Sequence, residues 1–326
     1  YGLEDEARAL NRRAAELAVE AAREFGTADK PRFVAGSIGP TTRAISVTGG
    51  ITFRELVVTF GEQVRGLLEG GADVLFVETC QDTRNTKAAL IAIERAFADA
   101  GARRPVVVSG TIEPSGTMLG GQAADAFVAS IEHADVMAVG LNCATGPDLM
   151  TDHLRTVHER SRCAVSCFPN AGLPDEDGRY PETPGSLAAA MERFVDNGWL
   201  NIIGGCCGTN AEHIAAIADM VEGRTPRALD RDLPRRAAFS GIELVEPSED
   251  NRPLLVGERT NVIGSKRFRE MVAAGEWDDA VEIARRQVKG GAQIIDVCLQ
   301  TTEGDETEAI HELYERLGRA VKVPVM

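Results

Sequence analysis

Apolar positions recur at helical spacing from Leu3 to Phe25, through Ala7, Leu10, Ala14, Leu17 and Ala21, and predict an opening helix. Beyond it, short β-branched apolar runs alternate with amphipathic stretches. The runs are Arg32–Ile38, Ala72–Thr79, Pro105–Ile112, Asp135–Asn142, Cys163–Phe168 and Asn201–Gly205. Their near-continuous apolar character suits strands buried on both faces, as in a parallel sheet. Helices are predicted between them over Phe53–Glu69, Lys87–Ala100, Ala123–Ala134, Pro147–Glu159, Leu187–Asn197 and Ala211–Val221. Thr52 with Glu55, and Thr209 with Glu212, have capping-box spacing. Pro147 and Pro184 stand where a first-turn proline is tolerated. Gly70-Gly71 and Gly198 stand where helices end just before strands.

These units number six, whereas an eightfold barrel requires eight. A doubly wound open sheet is the rival, but no Gly-x-Gly-x-x-Gly follows a strand. The sequence opens on Tyr1 rather than methionine. We expect a (β/α)8 TIM-type barrel lacking its first two strands, which would lie upstream in a longer chain. From Glu222 to Pro253, prolines 226, 234, 247 and 253 punctuate charged sequence of little periodicity, which predicts a linker. Alternation resumes with a strand over Leu254–Glu258, a helix about Asp278–Lys289 and a strand over Gln293–Val297. A helix about Glu308–Ala320 then leads into an apparent strand, Val321–Met326. The expected organisation is a truncated barrel over 1–224, a linker over 225–252, and the beginning of a second (β/α)8 barrel over 253–326.

Charge and composition narrow the function. A net charge of −15 without a basic stripe argues against nucleic acid and anionic membrane surfaces. Aromatics at 5% leave no stacking platform for single strands. No apolar run reaches about 18 residues, and no signal-peptide pattern opens the chain. Seven cysteines, an odd number spread over a long chain, do not resemble a disulfide framework. They point to a reducing cytoplasm, where clustered cysteines bind metal or do chemistry.

Cys206-Cys207 lies within Gly204-Gly205-Cys206-Cys207-Gly208-Thr209, between a strand and a helix. Neighbours on a regular strand point to opposite faces. The flanking glycines permit positive φ and a sharp turn that brings both sulfurs to one side. A helix starting near Thr209 adds partial positive charge that favours thiolate. Cys143 ends an earlier strand, and in a parallel barrel all strand C-termini share one rim. Three thiolates leave one tetrahedral position open, the pattern of a catalytic zinc site, and soft sulfur disfavours magnesium or calcium. A strained disulfide and plain buried packing stand as alternatives. Cys80, Cys163, Cys167 and Cys298 are assigned to packing, and the histidines to solvated helix surface.

Gly140–Cys143 followed by Gly204–Thr209 resembles the homocysteine-binding barrel of the cobalamin-dependent methionine synthases, as do Val34–Pro40, Val77–Thr79 and Pro169–Pro174. Gly257–Ser265 and Gly291–Val297 resemble the start of that family's pterin-binding barrel. The resemblance implies that Cys143, Cys206 and Cys207 hold Zn2+ and that homocysteine sulfur takes the fourth place. It implies a methyl group received from methylcobalamin, with 5-methyltetrahydrofolate as donor on the second barrel. The cobalamin domain of the same polypeptide would follow Met326, and the family's Asp-Gly-containing strand would precede Tyr1. Glu78 and Asn142, at strand ends on the same rim, are candidates for the substrate ammonium and for its carboxylate or the orientation of Cys143. Loop capping and turn support are their plainer roles. Asp296, Asn261 and Ser265 are candidates for the pterin ring, with strand-end capping as the alternative. The family commonly carries Asn where this chain has Cys298, a departure that bears on one pterin hydrogen bond. The other readings are a cobalamin-independent homocysteine S-methyltransferase with a small methyl donor, a non-catalytic zinc- or thiol-binding module, and a metal-free cysteine cluster.

Overall fold

Helix α1 (Ala7–Phe25) precedes β1 (Ala35–Ile38), α2 (Phe53–Glu69), β2 (Val74–Cys80) and α3 (Thr83–Ala100). The alternation continues through β3 (Val106–Gly110), α4 (Ala124–Ile131), β4 (Ala138–Asn142) and α5 (Pro147–Arg160). It ends with β5 (Ala164–Phe168), α6 (Pro184–Asp196), β6 (Ile202–Ile203) and α7 (Ala211–Val221). The structure, a computed structural model, describes residues 2–229, 237–300 and 305–326. The chain divides into two compact units, Tyr1–Ala124 with Ile131–Leu233, and Asp125–Ser130 with Pro234–Met326.

In the first unit β1 to β6 pair in chain order, and every pairing is parallel. The result is a curled half-barrel sheet. A doubly wound sheet reverses strand order at a switch point; this one does not. Register explains the apolar runs: Val77, Val108, Val139 and Val165 lie side by side on four successive strands, all buried. Every residue of β3 and β4 is buried, which is why neither run alternates with polar residues. One step further along, Gly140 lies so close to β5 that a Cβ there would stand 2.0 Å from the Ser166 carbonyl oxygen.

Helix boundaries follow local chemistry. Thr52 and Glu55 form the expected capping box on α2. Pro147 and Pro184 occupy first turns. Helix α3 begins at Thr83, earlier than apolar spacing predicts, because Asp82 accepts from the Arg84 and Asn85 amides as its N-cap. The Thr209–Glu212 capping box is corrected. Asn210 caps α7 with His213, because the Thr209 hydroxyl donates instead to the Cys206 carbonyl at 2.7 Å.

In the second unit a short antiparallel hairpin, β7 (Phe239–Ser240) with β8 (Leu244–Val245), lies within the stretch read as linker. Two-residue strands carry too little periodicity to be seen in sequence. Residues 230–236 of that stretch lie outside the described residues. Next come β9 (Val256–Asn261), α8 (Lys266–Ala274), α9 (Trp277–Lys289), β10 (Ile294–Cys298) and α10 (Glu306–Ala320). Strands β9 and β10 are parallel, and Phe268, Ala284, Ile295, Leu313 and Leu317 form the buried centre. Helix α8, capped by Ser265, was not expected. The apparent strand at Val321–Met326 makes only an isolated parallel bridge, Val325 to Ile295. Among the described residues no helix is long and apolar enough to cross a membrane.

Candidate metal centre

Strands β2, β4 and β6 run in one direction, so Glu78, Asn142 and the turn after Ile203 come to the same edge of the sheet. Cys143 follows β4 with φ 59°, and its amide donates to the Phe168 carbonyl at 3.0 Å. The Cys206 amide donates to the Pro169 carbonyl at 2.8 Å, and the Cys207 amide to the Asn170 side-chain oxygen at 3.1 Å. The Ala171 amide in turn donates to the Cys207 carbonyl at 2.9 Å. The end of β5 and the segment after it thus hold both cysteine turns, through backbone bonds and the Asn170 side chain.

Close approach, rather than positive φ, is what Gly204 and Gly205 supply. A Cβ on Gly204 would stand 2.7 Å from the Phe168 ring, and one on Gly205 2.4 Å from Thr209 Cγ2. Positive φ falls instead at Gly208, at 79°, with the Tyr180 side chain packed against it.

The sulfurs of Cys143, Cys206 and Cys207 all lie within 4.8 Å of one another. Cys143 to Cys207 is 3.6 Å and Cys206 to Cys207 is 4.0 Å. A disulfide requires about 2.0 Å, so the three are free thiols. Tetrahedral zinc with Zn–S of about 2.3 Å sets its sulfurs about 3.8 Å apart. The donor spacing fits that ion. Cys143 and Cys206 are half-buried and Cys207 is exposed, so the cluster is open to solvent on one side.

The metal-free cluster carries its negative charge unevenly. The Cys206 thiol donates to Cys143 and holds its pKa down at about 5, helped by the Ala144 amide, Cys207 and Asn170. The same contact, with burial, pushes Cys206 up. Burial first, and then Cys143, raise Cys207. Neighbouring thiols and the Ala144 amide favour the Cys143 thiolate, and α7 begins at Ala211, four residues beyond Cys207. Cys80 and Cys167 lie in the core, where burial pushes both thiols up, Cys80 to about 12; Cys163 and Cys298 are partly exposed.

Asn142 is buried, and its carboxamide is engaged within the protein. Its oxygen accepts from the Thr79 amide at 2.9 Å. Its NH2 donates to Thr79 Oγ1 at 2.8 Å and points to the Cys206 sulfur at 3.9 Å. Glu78 accepts from the Ser37 hydroxyl and, at 3.5 Å, from Thr79 Oγ1. Thr79, Asn170 and Tyr180 were missed as site residues. Thr79 and Asn170 lie in the Val77–Thr79 and Pro169–Pro174 segments already singled out, whereas the place of Tyr180 depends on backbone geometry.

In the second unit, register sets Cys298 beside Asn261, with Asp296 two residues earlier on β10. Asn261 accepts from the Ile263 and Gly264 amides, and Ser265 from the Phe268 amide, so both carry local turn and cap bonds. Tyr314 of α10 is close enough to Asp296 for that carboxylate, after burial, to raise its phenol pKa.

Residues 1–221 match the family model described as homocysteine S-methyltransferase, and residues 257–326 match that of the pterin binding enzymes. Among solved structures, the apo form of the homocysteine methyltransferase MmuM from Escherichia coli is 24% identical, with TM-score 0.54. That match covers 68% of this chain and 77% of the other. The metallated form is 22% identical over 66% and 72%, with TM-score 0.53. The first unit therefore shares the fold of those proteins.

Proposed function

The chain belongs to the homocysteine S-methyltransferase family, and on that premise we propose that its first unit methylates homocysteine sulfur at a zinc ion held by Cys143, Cys206 and Cys207. The single observation that carries this is the convergence of three thiols at tetrahedral-edge spacing on a solvent-open rim. The chain is a methyltransferase. A zinc ion there would bind the substrate thiol as thiolate, and three cysteine ligands give a net charge of about −1 that keeps the sulfur electron-rich. The homocysteine thiol loses its proton and gains a methyl group, while the donor keeps the electron pair of the broken bond. Glu78, at the same rim, offers a carboxylate for the substrate ammonium.

The fuller proposal is part of a cobalamin-dependent methionine synthase. In it residues 1–224 form a (β/α)8 barrel completed by two upstream strands, 225–252 link, and 253–326 open a second barrel. The pterin-family match of the second unit supports 5-methyltetrahydrofolate as donor, with Asp296, Asn261 and Ser265 near its ring. Cobalamin would be carried by another domain of the same polypeptide. Seven unpaired cysteines suit a reducing cytoplasm.

A small-donor homocysteine methyltransferase is the second reading, since the first unit carries the family match and the three thiols by itself. Calorimetric titration with 5-methyltetrahydrofolate of a chain extended through the whole second barrel separates the two. The proposal expects saturable binding that Asp296→Ala weakens, with zinc content unchanged. No binding to that extended wild-type chain would transfer support to the small-donor reading.

A further inference from the structure

Thr79 has φ 56° although it is β-branched. That conformation is unusual for any residue with a side chain and a rare outlier for this one. Such strain persists only where surrounding structure holds it. Here the holding group is the Asn142 carboxamide, which receives the Thr79 amide and donates to the Thr79 hydroxyl. A backbone N–H can only donate, so it fixes which end of the carboxamide is oxygen. The NH2 end must then face the hydroxyl and, beyond it, the Cys206 sulfur at 3.9 Å. Having accepted from Asn142, the Thr79 hydroxyl has its own proton for Glu78, which also receives Ser37.

We infer that Thr79 and Asn142 are positioning residues for the Cys206 sulfur, at the end of a continuous hydrogen-bonded chain Ser37–Glu78–Thr79–Asn142–Cys206. The chain joins the ends of β1, β2 and β4 to the turn after β6. Each group in it is used consistently: hydroxyls donate to the carboxylate, the amide donates to oxygen and sulfur, and no donor meets a donor. Turn support alone requires only the bonds to Thr79. It gives no reason for a buried amide hydrogen aimed at a sulfur. Outer partners of this kind orient metal ligands, and their loss typically costs about 10- to 100-fold in metal affinity.

The inference rests on the reading of Cys206 as a zinc ligand, and the test separates the two. Thr79→Val removes the hydroxyl and keeps the branched Cβ. Thr79→Gly removes it while accepting positive φ without strain, so misfolding from that cause is avoided. Thr79→Ser keeps the hydroxyl. In the full chain, zinc retention against a chromophoric chelator is expected to weaken about 10- to 100-fold in Val and Gly variants and to be recovered in Ser. In metal-stripped protein, alkylation of Cys206, resolved from Cys207 by tandem mass spectrometry, is expected to be slower in the same two variants, because the N–H that favours its thiolate is no longer held on the sulfur. Wild-type zinc retention and Cys206 reactivity in folded Thr79→Gly would overturn the inference. If the wild-type chain itself binds no stoichiometric zinc, the zinc reading fails, and the alkylation rates alone decide the positioning role.

Discussion

At the residue scale, three neighbouring sulfurs differ in how readily they ionise. Cys206→Ala or Cys207→Ala is expected to abolish stoichiometric zinc while the circular dichroism spectrum stays that of the folded chain; full zinc content in either would remove that ligand. A pH prediction follows for metal-free protein. An unfolded thiol ionises at about 8.5, whereas Cys143 ionises at about 5, chiefly through the Cys206 donor. Between those values the folded chain binds fewer protons at Cys143 than the unfolded one. The stability from this thiolate is therefore full above about pH 8.5 and is lost as pH falls through about 5. Cys206 and Cys207 are raised, so they act with the opposite sign and erode stability as pH climbs past about 8.5. Urea unfolding of metal-free wild type and Cys143→Ser should show the wild-type advantage growing from pH 5 to 8; a flat difference would contradict it. The cysteines were legible in sequence because Gly204–Thr209 joins a strand run to a helix pattern. Thr79 was legible only as the end of the Val77–Thr79 segment, since nothing in sequence marks a threonine for positive φ.

At the element scale, close backbone approach and helix caps decide where strands and helices stop. Gly140→Ala would set a Cβ 2.0 Å from the Ser166 carbonyl oxygen, a backbone atom that cannot swing aside. It should destabilise the first unit by about 3 kcal/mol or more. Gly185 is in the first turn of α6 with nothing within 4 Å of an added Cβ. Gly185→Ala should stabilise by about 0.5 kcal/mol. Thermal unfolding of the pair tests the contrast, and equal shifts would show that the local packing is misread. Strand positions were readable from apolar runs because β3 and β4 are buried throughout. Their exact ends were not, because Gly204-Gly205 turns the chain while the run still looks apolar. Likewise Thr209 matched a capping pattern but serves Cys206, and Asn210, one residue on, caps α7.

For the whole molecule, the order of units was legible and the ties between segments were not. Arg227 lies in sequence that reads as linker, yet it is buried. Its guanidinium donates to His158 Nδ1 and to the carbonyls of His158, Ser161 and Cys163. One residue thereby fastens the segment after α7 to the α5–β5 turn. Arg227→Ala would leave buried acceptors without a donor and should cost about 3 kcal/mol. Chemical denaturation with the chain as a whole checks this; a change within about 0.5 kcal/mol is what an exposed linker would give. No sequence pattern announces such a residue, since its partners are carbonyls nearly seventy positions away.

In the proposed chemistry three cysteine sulfurs hold a zinc ion with one place left for substrate sulfur. Zinc-edge X-ray absorption of the zinc-loaded chain, recorded without and with homocysteine, counts those neighbours. Three sulfurs at about 2.3 Å plus one lighter atom are expected, becoming four sulfurs when homocysteine is added. Fewer than three sulfurs at the start, or a sulfur count that homocysteine leaves unchanged, would contradict that chemistry.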